Sequence, residues 1–505
     1  MIGVKQWLLI RRAAAGLACL IIGVGLFEIV ITSTNKSQEP VQVWMPWVPT
    51  SMDPFDYDSF AHHVSARSLI GSLVTQYKTG EFIGLLADHW GVSEDKKIWT
   101  FHIRPGIQFE NGDLVTADII VKSWVRLAVL LNKKQSHSDF FSLIEGMDQL
   151  SSLSQTVPGL VAGNDSVTIR LKKPFSKTLE TLSFGLYGIV HPVDYDSATG
   201  NWIDKKKIIS SNAYRLKSWN KDSIELEMRP SFLPQIVHPL PIRKLKLVWD
   251  SNSKDLSKIV VSDSNDRSMP KNFTFYGGSP SGIVYGRCLS WKLKDGLCST
   301  QEGRLVIRDL LYQSLEAQGI QPVRSFFPLG MQGIKSMTIN RTESPIRLTK
   351  PTALKIFYRK KTGNEIFEKI RSQISDTGKK NNIAITEVDM PPNEFVASLD
   401  PDLTAYKADI ALHATGVLIE DPASDIRFMV LSKEGIRLPD TDGRIREEIG
   451  KEGFSPQRVN EIIWDQGVVF PLGHFAMGVW ATDELDLHLL NSVLPPLEFQ
   501  WIGFK

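Results

Sequence analysis

Between Trp99 and Asp118 the chain writes a strand, two reversals and the start of a helix into one short stretch. Trp99, Phe101 and Ile103 alternate with Thr100, His102 and Arg104, a period of two that puts one set on each face of a half-buried strand. Pro105-Gly106 and Asn111-Gly112 follow, two reversals that need the positive φ glycine tolerates. Thr116-Ala117-Asp118 then opens an amphipathic run through Ile119, Val121, Trp124 and Leu127, with the Thr116 hydroxyl placed to cap the first free backbone amides. A strand bound this tightly to a helix requires a mixed α/β fold.

The chain has 505 residues, 42% hydrophobic and 23% charged, enough for two or three compact units. Its 58 basic and 56 acidic side chains nearly cancel, which argues against a phosphate backbone as the main partner and so against nucleic acid. Lys5, Arg11 and Arg12 precede an apolar run from Ala13 to Ile31 broken only by Glu28, the pattern of an export segment. The run approaches the roughly 20 residues that cross a bilayer, so cleavage, lipidation at Cys19 and retention as an anchor all stay open. Beyond it stand two cysteines, Cys288 and Cys298, close together around glycine; in an oxidising compartment this spacing suits a small disulfide loop. A zinc site would need two further ligands nearby, and the sequence offers none.

Further along, Val41 to Val48 reads as a strand running into the turn-rich loop Pro49 to Pro54, and Ser65 to Tyr77 has helical spacing. Val167 to Leu171 and Ser223 to Met228 alternate as strands. Asp250 to Asn272, rich in Ser, Asp, Asn and Lys, reads as a loosely ordered link. The second half changes character: strand 353–358, helix 365–374 and strands 383–388 and 410–414 follow β-α-β order. A helix over 456–466, with Ser455 as N-cap and Pro456 in the first turn, leads to strands 469–474 and 478–481.

The ordered motifs resemble the family-5 extracellular solute-binding proteins, the group containing the oligopeptide- and dipeptide-binding proteins of bacterial importers. The resemblance is carried by Leu85-Leu86-Ala87-Asp88-His89-Trp90, Ser93-Glu94-Asp95, Trp99 through Phe109, Asn111-Gly112 and Thr116-Ala117-Asp118. It extends to Val167 through Pro174, to Ala213-Tyr214-Arg215-Leu216 as a hinge-side strand, and to Asp409 through Leu412 leading to Asp421-Pro422. It implies an α/β, two-lobed periplasmic-binding-protein fold of the enlarged type II kind, with crossing hinge strands. The implied division is a signal or anchor segment and linker over 1–40, lobe I over 41–262 with a subdomain inserted at about 59–164, lobe II over 263–469, and a return to lobe I over 470–505.

The same resemblance implies a monomeric, periplasmic or otherwise extracytoplasmic component of an ATP-binding-cassette importer, working with the permease subunits. It would capture an oligopeptide or peptide-like solute by hinge closure, with no cofactor, no metal and no catalysis. Thr50 and Ser51 are expected beside the ligand, and so are Thr415, Gly416, Leu418 and Glu420 in the loop before Asp421-Pro422. Here the chain departs from the family. Thr415 stands where a Trp is usual and Leu418 where an Asp meets a peptide's terminal ammonium, so amino-blocked, larger or non-peptide solutes are expected to bind better than simple dipeptides.

Two rival readings compete with this one. A secreted hydrolase lacks a nucleophile elbow or a His-Glu-x-x-His sequence to support it, and the His62-His63 pair has no carboxylate cluster beside it. A binding lobe turned anchored sensor, chaperone or partner for another envelope protein is the other, and an uncleaved Ala13 to Ile31 helix would favour it.

Overall fold

The structure is a computed structural model that describes residues 39–45, 48–56, 60–78, 81–230, 232, 238–263, 269–277, 282–327, 334, 348–358, 365–390, 398–399, 403, 405–416, 422–432, 438–489 and 498–505. The export segment and its linker to residue 38 lie outside the described residues. Among those that are described, no helix is long and apolar enough to cross a membrane.

The chain enters through β1 (Val41–Trp44) and then builds a unit of its own. This unit holds the hairpin β2 (Val74–Lys78) and β3 (Glu81–Gly84) and the antiparallel sheet of β4 (Ala87–Val92), β5 (Ile98–Ile103), β6 (Leu160–Ala162) and β7 (Ser166–Arg170). The Trp99–Arg104 alternation forms β5, with Phe101 fully buried. Gly106 and Gly112 take φ of 72° and 93° at the two reversals, the left-handed region that favours glycine. Thr116 caps the helix Ala117–Lys134 by accepting from the Ile119 amide at 3.3 Å. Trp124 on this helix is buried, and its indole donates to the Tyr187 carbonyl at 2.9 Å. Arg104 donates to the Gly84, Leu85 and Ala87 carbonyls and to Asp88, so it ties β5 to the preceding bend. The helix expected over 65–77 instead runs Phe60–Arg67 and is followed by β2; Thr75, Tyr77 and their apolar neighbours serve a strand.

The chain then returns to β1. β8 (Tyr214–Trp219), β9 (Ser223–Met228), β10 (Lys244–Val248), β11 (Ile259–Asp263) and β12 (Phe273–Gly277) join it in a seven-stranded sheet of order β12-β18-β11-β1-β10-β9-β8, where β18 is Met477–Thr482. Val41, Val43, Leu245, Leu247, Ile259 and Val261 bury one face of it in the first core. The stretch read as a loose link over 250–272 therefore contains a central strand: Ile259, Val260 and Val261 are wholly buried, and three successive β-branched residues outweigh the polar composition around them. β8 is the far edge of this sheet, which moves Tyr214 away from the hinge side where the resemblance put it.

A second sheet has order β15-β14-β16-β13-β17, from β13 (Gly282–Cys288), β14 (Thr352–Tyr358), β15 (Ile383–Val388), β16 (Ile410–Gly416) and β17 (Val469–Phe475). β14 runs parallel to both β15 and β16, with the helix Glu365–Lys380 as the crossover between β14 and β15. Every residue of β13 is buried, because helices cover both faces. Gln301–Glu316 and Glu365–Lys380 pack with Val284, Ile356 and Leu412 on one side, and Pro422–Leu431, Arg444–Ile449 and Pro456–Gln466 pack with Ile283 and Tyr285 on the other. Ser455 caps the last of these helices, with Pro456 in its first turn.

Among the described strands the chain passes between the two large sheets twice, between Gly277 of β12 and Gly282 of β13, and back through Ala476. The division expected at 263 and 469 is thus displaced at both ends: β12 still pairs with β18 in the first sheet, and β17 still pairs with β13 in the second. The inserted sheet likewise runs past 164, to Arg170. After β18 the chain packs back onto the first core through Leu485, Leu487, Phe499, Trp501 and Ile502. Arg67 and Glu498, both buried, pin that return as an ion pair, and Thr75, Gln500 and Trp501 donate to the same carboxylate at 2.7, 2.7 and 3.0 Å.

Candidate functional site

The two connections set the place where the lobes meet. Register puts Gly282 opposite Gly416 and Ile283 opposite Thr415, so the end of β16 lies beside the residues at which the chain enters the second sheet. On β13's other side Gly282 faces Phe475, and a Cβ at Gly282 would lie 2.3 Å from that ring. Only glycine allows this approach, one strand from the second crossing at Ala476. Thr415 and Gly416 are therefore hinge-side backbone positions. Leu418 and Glu420 lie outside the described residues.

Thr50 and Ser51 sit on the first lobe, in the loop that leaves β1. Thr50 is exposed and Ser51 is buried. The loop is held by a knot of polar contacts that its turn-rich composition did not reveal. The Met52 amide donates to the Lys205 carbonyl at 2.8 Å, Ser51 accepts from the Asp53 amide at 3.0 Å, and Asp53 accepts from the Phe55 amide at 3.0 Å. Arg126, from the helix Ala117–Lys134, grips both carboxylate oxygens of Asp53 at 3.0 and 2.5 Å. Its Nε donates to the Gly200 carbonyl at 2.7 Å, and its guanidinium lies 5.1 and 5.2 Å from the ring centroids of Tyr195 and Trp202. Planar, bidentate and stacked on aromatic faces, this is a role that lysine cannot fill. Close by, burial pushes the Asp194 carboxyl up to about 6, against the Ile209 amide that donates to it.

On the second lobe the site is backed by aromatic residues. His413 is buried and stacked on Tyr285 with centroids 5.2 Å apart, and Tyr285 meets Phe326 edge-on at 5.4 Å. His474, opposite Ile283, has its pKa lowered by burial and faces the Ser325 carbonyl at 2.9 Å. The neutral ring then donates through Nε2. For His474 and Arg126 the signal is three-dimensional, since neither stands in a sequence motif.

Cys288 and Cys298 are brought together, but as free, buried thiols rather than a bridge. Burial pushes the Cys288 thiol up, and its hydrogen bond to Cys298 adds to this. Cys298 in turn donates to the Asp409 carbonyl at 3.3 Å.

One group among the described residues has the composition of a metal site: His238, Asp486 and His488. Its donors do not suit a metal. The Leu240 amide donates to His238 Nδ1 at 3.0 Å, which places the ring proton on Nε2, facing Asp486 at 3.3 Å. Ligation through Nε2 would move that proton to Nδ1, against another N–H. Instead, hydrogen bonds from the His488 amide and ring and from His238 outweigh burial and hold the Asp486 carboxyl down at about 2.

Comparison with known proteins agrees with this geometry. Residues 81–267 match the family described as bacterial extracellular solute-binding proteins, family 5 Middle. The chain is 25% identical over 188 residues to the periplasmic oligopeptide-binding protein OppA of Escherichia coli, 36% of this chain and 34% of that protein. It is 26% identical over 227 residues to the dipeptide-binding protein DppE of Bacillus subtilis, 43% of this chain and 38% of that one. These alignments thus span little more than a third of the relatives' length. Solved structures extend the likeness of fold over 92% of the chain. Haemophilus influenzae OppA in complex with RPPGFSPFR has a TM-score of 0.70 at 14% identity, with 98% of its chain covered. The E. coli murein tripeptide binding protein MppA scores 0.69 at 16% identity, with 98% covered, whereas an unliganded open form of MppA scores 0.56. The middle segment thus matches the family-5 extracellular solute-binding proteins, and the two-lobed fold of the chain resembles that of solved peptide-binding proteins.

Proposed function

We propose that this protein captures a peptide-like solute between its two lobes, outside the cytoplasmic membrane, and delivers it to the permease subunits of an ATP-binding-cassette importer. The observation that carries the reading is the disposition of the lobes. Two sheets with separate cores are joined between β12 and β13 and at Ala476, the two-lobed fold shared with solved peptide-binding proteins. Short crossings of this kind let lobes rotate as rigid bodies about a few residues. Peptide backbone would pair with exposed main chain like an added strand, and hydrated pockets would accept varied side chains.

The ligand would lie between the Thr50-Ser51 loop and the segment from Thr415 to Glu420. With Leu418 in place of a carboxylate, that position offers no charge for a free ammonium, which favours amino-blocked, larger or non-peptide solutes. The protein acts by binding and not by catalysis, as a monomer, without cofactor. Titration calorimetry with peptides of two to nine residues tests the reading; saturable heat at 1:1 stoichiometry supports it, and no heat from any peptide or from an acetylated series opposes it.

A further inference from the structure

Two short connections cannot by themselves fix the angle between the sheets, and the described residues show a further contact between the lobes. The helix Asp139–Leu143 belongs to the inserted unit and buries Phe140 and Phe141 in the first core. It faces the helix Pro422–Leu431, which buries Ile426, Met429 and Val430 in a core of the second lobe. Between them lies a polar bridge. Arg427 Nη1 donates to Asp139 Oδ2 at 2.6 Å, and the Ser424 hydroxyl donates to the same oxygen at 3.0 Å. The backbone amide of His137 donates to the Ser432 hydroxyl at 2.9 Å. The other carboxylate oxygen, Oδ1, is engaged from its own side by the His137 ring at 2.6 Å.

Three features separate this bridge from an ordinary surface pair. The Asp139 side chain is only 12% exposed and that of Arg427 29%, so solvent screens them less than exposed charges. Arg427 is backed by the Phe454 ring, 4.6 Å from guanidinium carbon to centroid. The helix it sits on starts at Pro422, shortly after β16 ends at Gly416, whose register partner Gly282 opens β13.

We propose that Asp139 and Arg427 are positioning residues for ligand capture, forming a latch through which the inserted unit holds the second lobe closed and retains the ligand. This rests on the capture reading above, and gives the inserted unit a part in affinity.

The test places nitroxides on Lys173→Cys and Glu447→Cys, exposed positions on the inserted unit and the second lobe, and measures the interspin distance in the mature protein with and without a tryptic peptide pool. Asp139→Asn and Arg427→Met are each expected to lower the closed-to-open ratio about tenfold and to speed peptide release by a similar factor. The double variant should lose no more than either single one, and Arg427→Lys should recover part of the loss. Melting temperatures monitor folding; should a charge variant not fold, Ser424→Ala and Ser432→Ala remove bridge contacts more gently and are expected to shift the ratio in the same direction. An unchanged ratio in the single variants, or losses that add in the double, overturns the latch. A wild type whose distance never responds to peptide, while the variants still shift it, counts instead against the capture reading.

Discussion

Arg126 holds Asp53 through both carboxylate oxygens in a pocket where the two side chains are 1% and 5% exposed. One partner comes from the capped helix of the inserted unit and the other from the candidate cleft loop, so the loop's shape depends on a residue 73 positions away in sequence. Arg126→Met would leave Asp53 buried and unpaired, at a cost of about 3–5 kcal/mol. Arg126→Lys should lose nearly as much, since it gives up the bidentate geometry and the Tyr195 and Trp202 stacking. Urea denaturation checks this; a midpoint change worth less than about 1 kcal/mol would show that the loop stands without the pair.

Asp194 carries a pH signature of opposite sign to most acids. Its carboxyl is pushed by burial from 3.8 to about 6, so between these values the folded protein binds a proton that the unfolded chain has released. Stability from this group is therefore present below about pH 4 and is lost as pH rises to about 6, an effect of at most about 3 kcal/mol. Asp194→Asn keeps an acceptor for the Ile209 amide and should flatten the stability profile across that window. A variant profile parallel to the wild type between pH 4 and 6 would assign the dependence elsewhere.

The Cys288 and Cys298 thiols touch without bonding in the structure. Because both are buried, alkylating reagents should leave them unmodified in the native protein and label both after reduction and unfolding. An added disulfide oxidant is expected to join them, with loss of two hydrogens by mass and a gain of about 2–3 kcal/mol for so short a loop. Rapid labelling of both thiols in the folded protein would contradict this placement.

The departure at Leu418 predicts selectivity. Matched peptides with free and acetylated amino termini should bind the wild type with the acetylated form equal or stronger, and Leu418→Asp should turn the preference toward the free ammonium by about tenfold or more. Calorimetry reads both; a wild type that strongly prefers the free form, or a variant without a changed preference, removes this loop from the account of selectivity.

Much of the scaffold was legible because local rules agreed with one another there. The β5 alternation, the Gly106 and Gly112 reversals, the Thr116 and Ser455 caps and the β14-helix-β15 crossover each rest on residues close in sequence. What escaped was decided by distant partners. β11 is a strand because β1 and β18 flank it, although its neighbourhood reads as linker. The lobe boundaries moved because β12 and β17 pair across hundreds of residues. Of the candidate site, Thr50 and Ser51 lie in the loop after β1 and Thr415 and Gly416 at the end of β16, while Arg126, which grips the first loop through Asp53, and the Asp139–Arg427 pair stand in no motif and become visible only through their contacts.

The central claim is capture of a peptide-like solute, and native mass spectrometry of the exported protein, purified without denaturation, tests it most directly. A protein mass carrying an adduct that is released on unfolding and fragments as a peptide or blocked peptide is the result expected. A ligand-free mass that stays unchanged after incubation with a diverse peptide pool, from protein shown to be folded, would contradict it.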